Sequence, residues 1–183
     1  ERKRAEANLV RSELRLRTLR DCIPDLVWLK NTDGVYLSCN PPFERFLGCK
    51  EEQIVGKSDY NFFEPALAEF FRDNDRKAIE IGGPNLNEEW LTFVQDGYHG
   101  LFETLKTPVR DDSGTVIGVL GVARDITERR RQAEELESFF SVNLDLLCIA
   151  DMEGNFVKTN EAWSRILGFS TADLNTKKFL DFV

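Results

Sequence analysis

The residues best suited to chemistry in this chain are an acid and an amine in the middle of two apolar segments. Glu89 and Lys106 lie on either side of Asp96-Gly97, a dipeptide that is typical of tight turns between antiparallel strands. If this dipeptide forms a two-residue turn, Glu89 is opposite Thr104 and is a diagonal neighbour of Lys106. Such a pair has two interpretations, an exposed ion pair or two charged anchors for a bound molecule.

We favour the exposed ion pair, because burying charged groups in mid-strand is costly, although an exposed pair contributes only about a few tenths of a kcal/mol. In the alternative, the carboxylate and the ammonium group project into a cavity and anchor a polar or zwitterionic ligand. The same turn divides the hairpin into two faces. One face is predicted to carry Glu89, Leu91, Phe93, Phe102, Thr104 and Lys106. The other is predicted to carry Trp90, Thr92, Leu101, Glu103 and Leu105.

Patterns for catalysis and metal binding are missing from the sequence. It contains no glycine-rich phosphate loop, no serine or cysteine nucleophile with a base, and a single histidine, His99. The four cysteines have no Cys-x-x-Cys spacing, so we expect reduced thiols of a cytoplasmic protein and no metal cluster. They are Cys22, Cys39, Cys49 and Cys148. We therefore predict no catalytic residues, no metal-binding residues and no enzyme activity.

The charge balance restricts the partners. The 32 acidic and 24 basic residues give a formal net charge of -8, which argues against a nucleic-acid partner because phosphate binding needs a basic surface. No apolar run approaches the roughly eighteen residues that a membrane helix needs. We expect this stretch to contain no membrane segment and to fold around one core of ordinary domain size.

The chain repeats itself at a spacing of 120 residues, and no gap is needed to align the two copies. Asn40 aligns with Asn160, and Leu47-Gly48 aligns with Leu167-Gly168. The second copy stops where the first still continues. We therefore expect residues 143–183 to be the truncated beginning of a second module, and the natural protein to continue beyond Val183.

Helix and strand signals follow one another along the first copy. A heptad-like spacing of apolar residues predicts an N-terminal helix that packs against a partner and ends at Pro24. Its seam consists of Ala5, Leu9, Ser12, Leu16, Leu19 and Ile23. A hairpin is predicted around Thr32-Asp33-Gly34, and Asn40 is expected to cap a short helix that ends at Gly48.

The middle of the chain predicts short helical turns over 51–63 and a longer helix over 65–81. The buried face of the longer helix is predicted to carry Leu67, Phe70, Phe71, Asn74, Ala78 and Ile81. Three strands at 86–95, 98–110 and 115–125 are then expected. Asp125 is predicted to cap a further amphipathic helix.

This order of elements resembles the Per-Arnt-Sim (PAS) sensor family. The motifs that carry the resemblance are Asn40, Gly48 followed by Ile54-Val55-Gly56-Lys57, Asp96-Gly97, Pro108-Val109-Arg110 and the exit motif Asp125-Ile126-Thr127. The resemblance covers residues 21–128 completely and 143–183 partially. It implies an α+β fold with a five-stranded antiparallel sheet, helices on one face and flanking amphipathic linker helices. The implied divisions are a linker helix or coiled coil (1–23), a PAS domain with exit motif (24–127), a linker helix (128–142) and a truncated second PAS domain (143–183).

The resemblance implies a sensory role in signal transduction. Such a module binds a small ligand or cofactor and relays its state through flanking helices to an effector, here expected to be a histidine kinase or a diguanylate cyclase outside this chain. Asp125, Ile126 and Thr127 would form the relay. The amphipathic linkers predict a homodimer. The alternative is a structural dimerisation or spacer module with a filled core and no ligand.

The resemblance also bears on the cofactor. Light-oxygen-voltage members carry a reactive cysteine in a Gly-Arg-Asn-Cys-Arg motif, and this chain has Asp59 at that position, which argues against a covalent flavin. Haem-binding members take a histidine from the long helix, and residues 65–81 contain none. Noncovalent FAD and an unidentified small ligand stay open. The candidate ligand-binding residues are Trp28, Cys39, Phe43, Phe46, Phe62, Phe71, Glu89, Trp90, Phe102, Thr104 and Lys106. Close packing alone explains most of the aromatic ones.

Overall fold

The computed structural model describes residues 2–169, 171–174 and 178 and has two compact units, one up to Thr127 and one from Glu128 onward. The first unit contains helix α1 (Arg2–Asp21) and a five-stranded sheet. The strands are β1 (Leu26–Asn31), β2 (Tyr36–Cys39), β3 (Asn85–Thr92), β4 (His99–Arg110) and β5 (Val116–Asp125). Neighbours are antiparallel in the order β2-β1-β5-β4-β3, which confirms the predicted α+β fold.

The segment between β2 and β3 supplies the helices that pack on the inner face of this sheet. They are α2 (Pro41–Leu47), α3 (Glu51–Ile54), a 3-10 turn (Asp59–Asn61) and α4 (Pro65–Ile81). Apolar side chains of these elements and of the strands form one core cluster. Burial of this apolar surface is the main stabilising contribution to the unit.

One amide side chain joins the entry to β1 with the start of α2. Asn40 is fully buried, and its Oδ1 accepts hydrogen bonds from the backbone N–H groups of Val27 (2.9 Å) and Phe43 (3.2 Å). Its Nδ2 donates to the carbonyl oxygens of Ile23 (3.2 Å) and Asp25 (2.8 Å). The side chain therefore caps α2, as predicted, and also fixes where the chain enters the sheet.

Helix α4 has the predicted bounds, and Phe71, Asn74 and Ala78 are buried as predicted, but the other three residues of the predicted face are not. Leu67, Phe70 and Ile81, which were predicted to be buried, are 39%, 42% and 65% exposed. The residues that the helix buries are Ala68, Phe71, Arg72, Asn74, Asp75 and Ala78. Arg72 Nη1 lies 3.3 Å from Asp75 Oδ2. These three positions were predicted wrongly because the prediction followed apolar residues, whereas two charged side chains of this helix have partners in the core.

The hairpin of β3 and β4 is shifted by two residues from the predicted register. Glu89 pairs with Phe102, because a longer loop replaces the predicted two-residue turn. The loop is closed by a hydrogen bond of 2.8 Å from the N–H of Phe93 to the carbonyl oxygen of Tyr98. A shift of two residues keeps each side chain on its predicted face, because side chains alternate with a period of two. Trp90 accordingly lies on the outer face and is 57% exposed.

Helix α5 (Thr127–Val142) leads into the second unit, which contains β6 (Cys148–Ala150), β7 (Phe156–Thr159), α6 (Ala162–Leu167) and α7 (Thr171–Leu174). Asn160 repeats the contacts by which Asn40 fixes the entry to the first strand. Its Oδ1 accepts from the N–H of Leu147 (3.1 Å), and its Nδ2 donates to the carbonyl oxygens of Asn143 (3.2 Å) and Asp145 (2.8 Å). The two copies therefore begin their strands in the same way.

Some predicted features lie outside the described residues. In the predicted second module these are residues 170, 175–177 and 179–183, and in the predicted α1 seam they are the side chains of Ala5 and Leu9. Among the described helices, none combines the length and the apolar character that crossing a bilayer requires.

Replacing Asn40 by alanine should destabilise the first unit by about 2–4 kcal/mol, because the change removes a helix cap and leaves several buried backbone groups without their partner. Hydrogen exchange of the β1 and β5 amides measures this loss. Asn160→Ala is the matched control and should leave these amides unchanged. A loss below about 1 kcal/mol for Asn40→Ala would contradict the assigned role.

Candidate ligand cavity and exit motif

A small cavity lies between the inner face of the sheet and the helices that cover it. Its volume is about 20 Å³, which is room for about one water molecule. The side chains that line it are Leu26, Trp28, Lys30, Tyr36, Phe43, Phe46, Asp59, Phe63, Phe71, Glu89, Leu91 and Lys106. Charged and aromatic groups therefore meet at one point of the core.

The structure places most of the sequence-predicted candidates at or near this cavity. Those that line it are Trp28, Phe43, Phe46, Phe71, Glu89 and Lys106. Those that are buried or half-buried in the surrounding core are Cys39, Phe62, Phe102 and Thr104. Trp90 requires a correction, because it lies on the outer face of the sheet and stacks on the ring of His99, with ring centroids 5.0 Å apart.

The charged centre of this core was not predicted from the sequence. Lys30 Nζ lies 2.5 Å from Asp59 Oδ2 and 3.1 Å from Asp75 Oδ2. Lys106 Nζ lies 2.7 Å from Asp75 Oδ1 and donates to the carbonyl oxygen of Phe71 at 2.7 Å. The four charged side chains are at most 2% exposed. Each charge is therefore paired, which is the condition for keeping it in the interior.

The surroundings shift the ionisation of these groups. The hydroxyl of Tyr36 donates to Asp59 Oδ1 at 2.6 Å, and burial together with the charge of Asp59 raises the pKa of Tyr36 well above its usual value. Burial opposes ionisation of Asp75, but the ammonium groups of Lys30 and Lys106 outweigh it and lower the pKa of Asp75. Burial also lowers the pKa of Lys106, because Asp75 only partly offsets the loss of solvent.

Glu89 and Lys106 do not form the exposed ion pair that we favoured. Both line the cavity, and the ammonium group of Lys106 contacts Asp75. Glu89 Oε1 accepts a hydrogen bond from Thr104 Oγ1 at 2.6 Å, whereas the buried Oε2 has no hydrogen-bond partner among the described residues. Burial raises the pKa of Glu89, against the effect of Thr104. Asn87 is near enough to favour the ionised form, yet no hydrogen bond of normal geometry joins its amide to Glu89.

The indole of Trp28 carries a second buried polar atom at the cavity without a partner in the described part of the chain. Trp28 is 6% exposed, and its Nε1 has no acceptor. The ring stacks on Phe43, with centroids 5.0 Å apart, and packs over Gly121, where a Cβ atom would come within 2.2 Å of it. Packing therefore fixes the orientation of the ring. The unpaired donor Trp28 Nε1 and the unpaired acceptor Glu89 Oε2 belong to residues that line the same cavity.

The volume of the cavity can be compared with the space that a flavin or haem cofactor needs. Pockets for drug-sized ligands have volumes of about 300–1,000 Å³, so the cavity of about 20 Å³ does not accommodate a flavin ring or a haem in this conformation. Asp59, at the position of the flavin-reactive thiol, is bonded to Lys30 and Tyr36. Across residues 2–169, 171–174 and 178, no group of three or more His, Cys, Asp or Glu side chains is arranged to hold a metal ion.

The residues of the exit motif join the start of α5 to strands β4 and β5. Thr127 Oγ1 accepts a hydrogen bond from the N–H of Leu101 (2.8 Å), and the N–H of Ile126 donates to the carbonyl oxygen of Leu101 (2.9 Å). Asp125 Oδ1 accepts from the N–H of Thr127 (2.9 Å), and its Oδ2 accepts from the hydroxyl of Tyr98. The helix is therefore attached to the strand that also supplies residues to the cavity.

A second chain of contacts leads from α2 to the exit motif. Arg45 Nε donates to Asp96 Oδ2 at 2.7 Å, and the guanidinium group lies 4.9 Å from the ring centroid of Phe93 and 5.9 Å from that of Tyr98. Phe46 on the same helix lines the cavity. Tyr98 therefore links the loop beside α2 to the beginning of α5.

Replacing Asp75 by asparagine should destabilise the first unit by about 3–5 kcal/mol, because two buried ammonium groups lose the carboxylate that neutralises them. Urea denaturation measures the loss. Asp73→Asn lies two residues away on the exposed side of the same helix and should change the free energy of unfolding by less than about 0.5 kcal/mol. Equal effects of the two variants would contradict the importance of the buried network.

Glu89 should make stability depend on pH. Its folded-state pKa is raised above 4.5, so the native state binds this proton more tightly and its contribution to stability is lost as pH rises from about 4.5 through the folded-state pKa. Glu89→Gln should remove this part of the pH dependence, whereas Glu103→Gln on the outer face should keep it. The measurement is the urea midpoint between pH 4 and pH 8, and identical profiles for wild type and Glu89→Gln would refute the assignment.

Sequence comparisons agree with this architecture. The profile of a family described as PAS fold matches residues 21–131, and that of a family described as PAS domain matches residues 144–183. The aerobic respiration control sensor protein ArcB of Escherichia coli is 34% identical over 122 residues, which are 67% of this chain and 16% of that protein. The methanogenesis regulatory histidine kinase FilI of Methanothrix harundinacea is 33% identical over 128 residues, which are 70% of this chain and 14% of that protein. The chain thus spans less than a fifth of the length of either relative.

A solved structure leads to the same family. The PAS domain of a protein from Colwellia psychrerythraea superposes with a TM-score of 0.53 at 26% identity, covering 63% of this chain and 98% of that one. The PAS fold profile alone covers more than half of the sequence. This chain belongs to the PAS family.

Proposed function

We propose that this chain is a sensory module of a cytoplasmic signalling protein, that its cavity binds a small polar ligand, and that exit helix α5 relays the bound state to an effector domain of the histidine kinase type. The observation that carries the proposal is the pair of unused polar atoms, Trp28 Nε1 and Glu89 Oε2, on residues that line one cavity. Buried polar atoms without partners are rare in native proteins and call for an occupant.

Two connections support the relay. Strand β4 runs from Leu101, which holds Thr127, to Thr104 and Lys106, which meet the cavity groups. A ligand that displaces these side chains would therefore act on the strand to which α5 is attached. The second connection runs through Arg45 and Tyr98. Such a displacement would change the angle or register of α5, because packed helices switch between discrete arrangements.

The wider assembly is part of the same proposal. Leu16 and Leu19 of α1 are 65% and 59% exposed, and Leu136 and Phe139 of α5 are 71% and 65% exposed, as expected for linker helices that pair in a homodimer. The match of residues 144–183 to a PAS profile supports a tandem arrangement of two PAS modules. A diguanylate cyclase is the alternative effector.

A structural spacer with a filled core is the competing function, and the volume of the cavity favours it. A cavity of about 20 Å³ holds about one water molecule, and aromatic rings pack closely around it. In this case the chain would space or dimerise its neighbours, and the interior would bind no ligand. The two functions differ in whether any small molecule stabilises the fold.

The deciding experiment is a thermal-shift screen of the chain against a metabolite panel, with native mass spectrometry of the same samples. A sensor should bind at least one compound of the panel. When the concentration of that compound is about 100 times its dissociation constant, binding raises the free energy of unfolding by about 2.7 kcal/mol and the Tm by about 10 °C. For such a compound, hydrogen exchange of residues 127–142 should change in wild type and in the control Thr92→Val, but not in Thr127→Val. No hit in the panel supports the spacer, and unchanged exchange in wild type refutes the relay.

A further inference from the structure

The polar and charged groups around the cavity differ in whether they already have partners within the protein. Lys30 is bound by Asp59 and Asp75, and Lys106 by Asp75 and the carbonyl oxygen of Phe71. The positive charges of both lining lysines are therefore already matched by carboxylates. A carboxylate or a phosphate would enter beside Glu89 and would have to break an existing ion pair to be neutralised.

The groups that remain unused have a definite hydrogen-bonding character. Trp28 Nε1 is a donor and nothing else, so it needs an acceptor atom. Glu89 Oε2, when the group is ionised, is an acceptor and needs an N–H or O–H donor. A simple ammonium ion would satisfy Glu89 and leave Trp28 unpaired, and an anion would do the reverse.

We propose that the ligand is a small neutral molecule with a primary amide or urea group, whose carbonyl oxygen accepts from Trp28 and whose N–H donates to Glu89. This inference rests on the proposed sensory function and names its ligand class. An amide carries its acceptor oxygen and its donor nitrogen on the same carbon atom, which suits two polar groups around one small cavity. It also replaces the zwitterionic ligand of the sequence analysis, because Asp75 already pairs with the charge of Lys106.

The size of the cavity sets a second condition on this ligand. Formamide and acetamide have three and four heavy atoms and exceed the single water that about 20 Å³ holds, so the wall must move. Phe63 is the lining aromatic that is only half-buried, and it packs on Phe71 and Phe46, with ring centroids 5.0 Å and 5.6 Å apart. Displacement of Phe63 enlarges the cavity without breaking the ion pairs.

The test follows the three indole N–H signals by NMR in a chain labelled with ¹⁵N-tryptophan. Formamide and acetamide are titrated as probes, with acetate and methylammonium as the charged counterparts. The signal of Trp28 should shift saturably with the amides and at least about tenfold more weakly with acetate and methylammonium. Trp90, on the outer face, and Trp163, whose Nε1 donates to the carbonyl oxygen of Leu147 at 3.0 Å, serve as internal references.

Glu89→Met removes the acceptor and keeps the length of the side chain, and it should weaken acetamide binding at least about tenfold. Glu103→Met on the outer face is the matched control and should bind as wild type does. If Glu89→Met fails to fold, the selectivity of the wild-type chain among the four probes still decides the question.

The possible results separate this inference from the proposed function. If acetate or methylammonium shifts Trp28 as strongly as acetamide does, the amide class is wrong and sensing stands. The same holds if the amides have no effect but a compound of other chemistry from the panel moves the Trp28 signal. If neither the probes nor any panel compound moves it, the cavity holds only water, and both the ligand class and ligand sensing are overturned.

Discussion

The carboxylate of Asp75 is the interaction on which the arrangement of this core depends. It lies between the ammonium groups of Lys30 on β1 and Lys106 on β4, and it belongs to α4, the longest helix over the sheet. Buried charges tolerate little displacement, because losing a partner costs several kcal/mol. The network therefore fixes the rotation and position of α4 on the sheet. It explains why this helix exposes Phe70 and buries an aspartate.

The same network decides what kind of site the cavity is. Because the lysines and aspartates neutralise one another, the charges at the cavity offer little attraction to an ion from outside. Among the described residues that line the cavity, the buried polar atoms without a hydrogen-bond partner belong to Trp28 and Glu89. Asp59 shows the difference from the light-oxygen-voltage members. Where that subfamily has a reactive thiol, this chain has a carboxylate that is already occupied by Lys30 and Tyr36.

How well the sequence predicted each feature depends on how far apart along the chain the interacting residues are. Asn40 and the exit motif were predictable, because caps are local signals with a fixed spacing. The register of the β3–β4 hairpin was wrong by two residues, since the loop length depends on a contact between Phe93 and Tyr98 that turn composition does not specify. The charged centre was missed because its members are distant in sequence. Lys30, at an inward position of an otherwise apolar strand, was the available signal.

The repeat separates what the fold requires from what this module adds. The second copy keeps the buried amide at Asn160 and pairs its first two strands with the same irregularity as the first copy. Three residues that line the cavity differ at the aligned positions. The aligned pairs are Lys30 and Ala150, Trp28 and Cys148, and Tyr36 and Phe156. A strand pair of this type therefore forms without the lysine, the indole or the phenol. In the first copy Lys30 and Tyr36 have internal partners, whereas the indole N–H of Trp28 has none among the described residues, so of these three groups the indole is the one that bears on recognition.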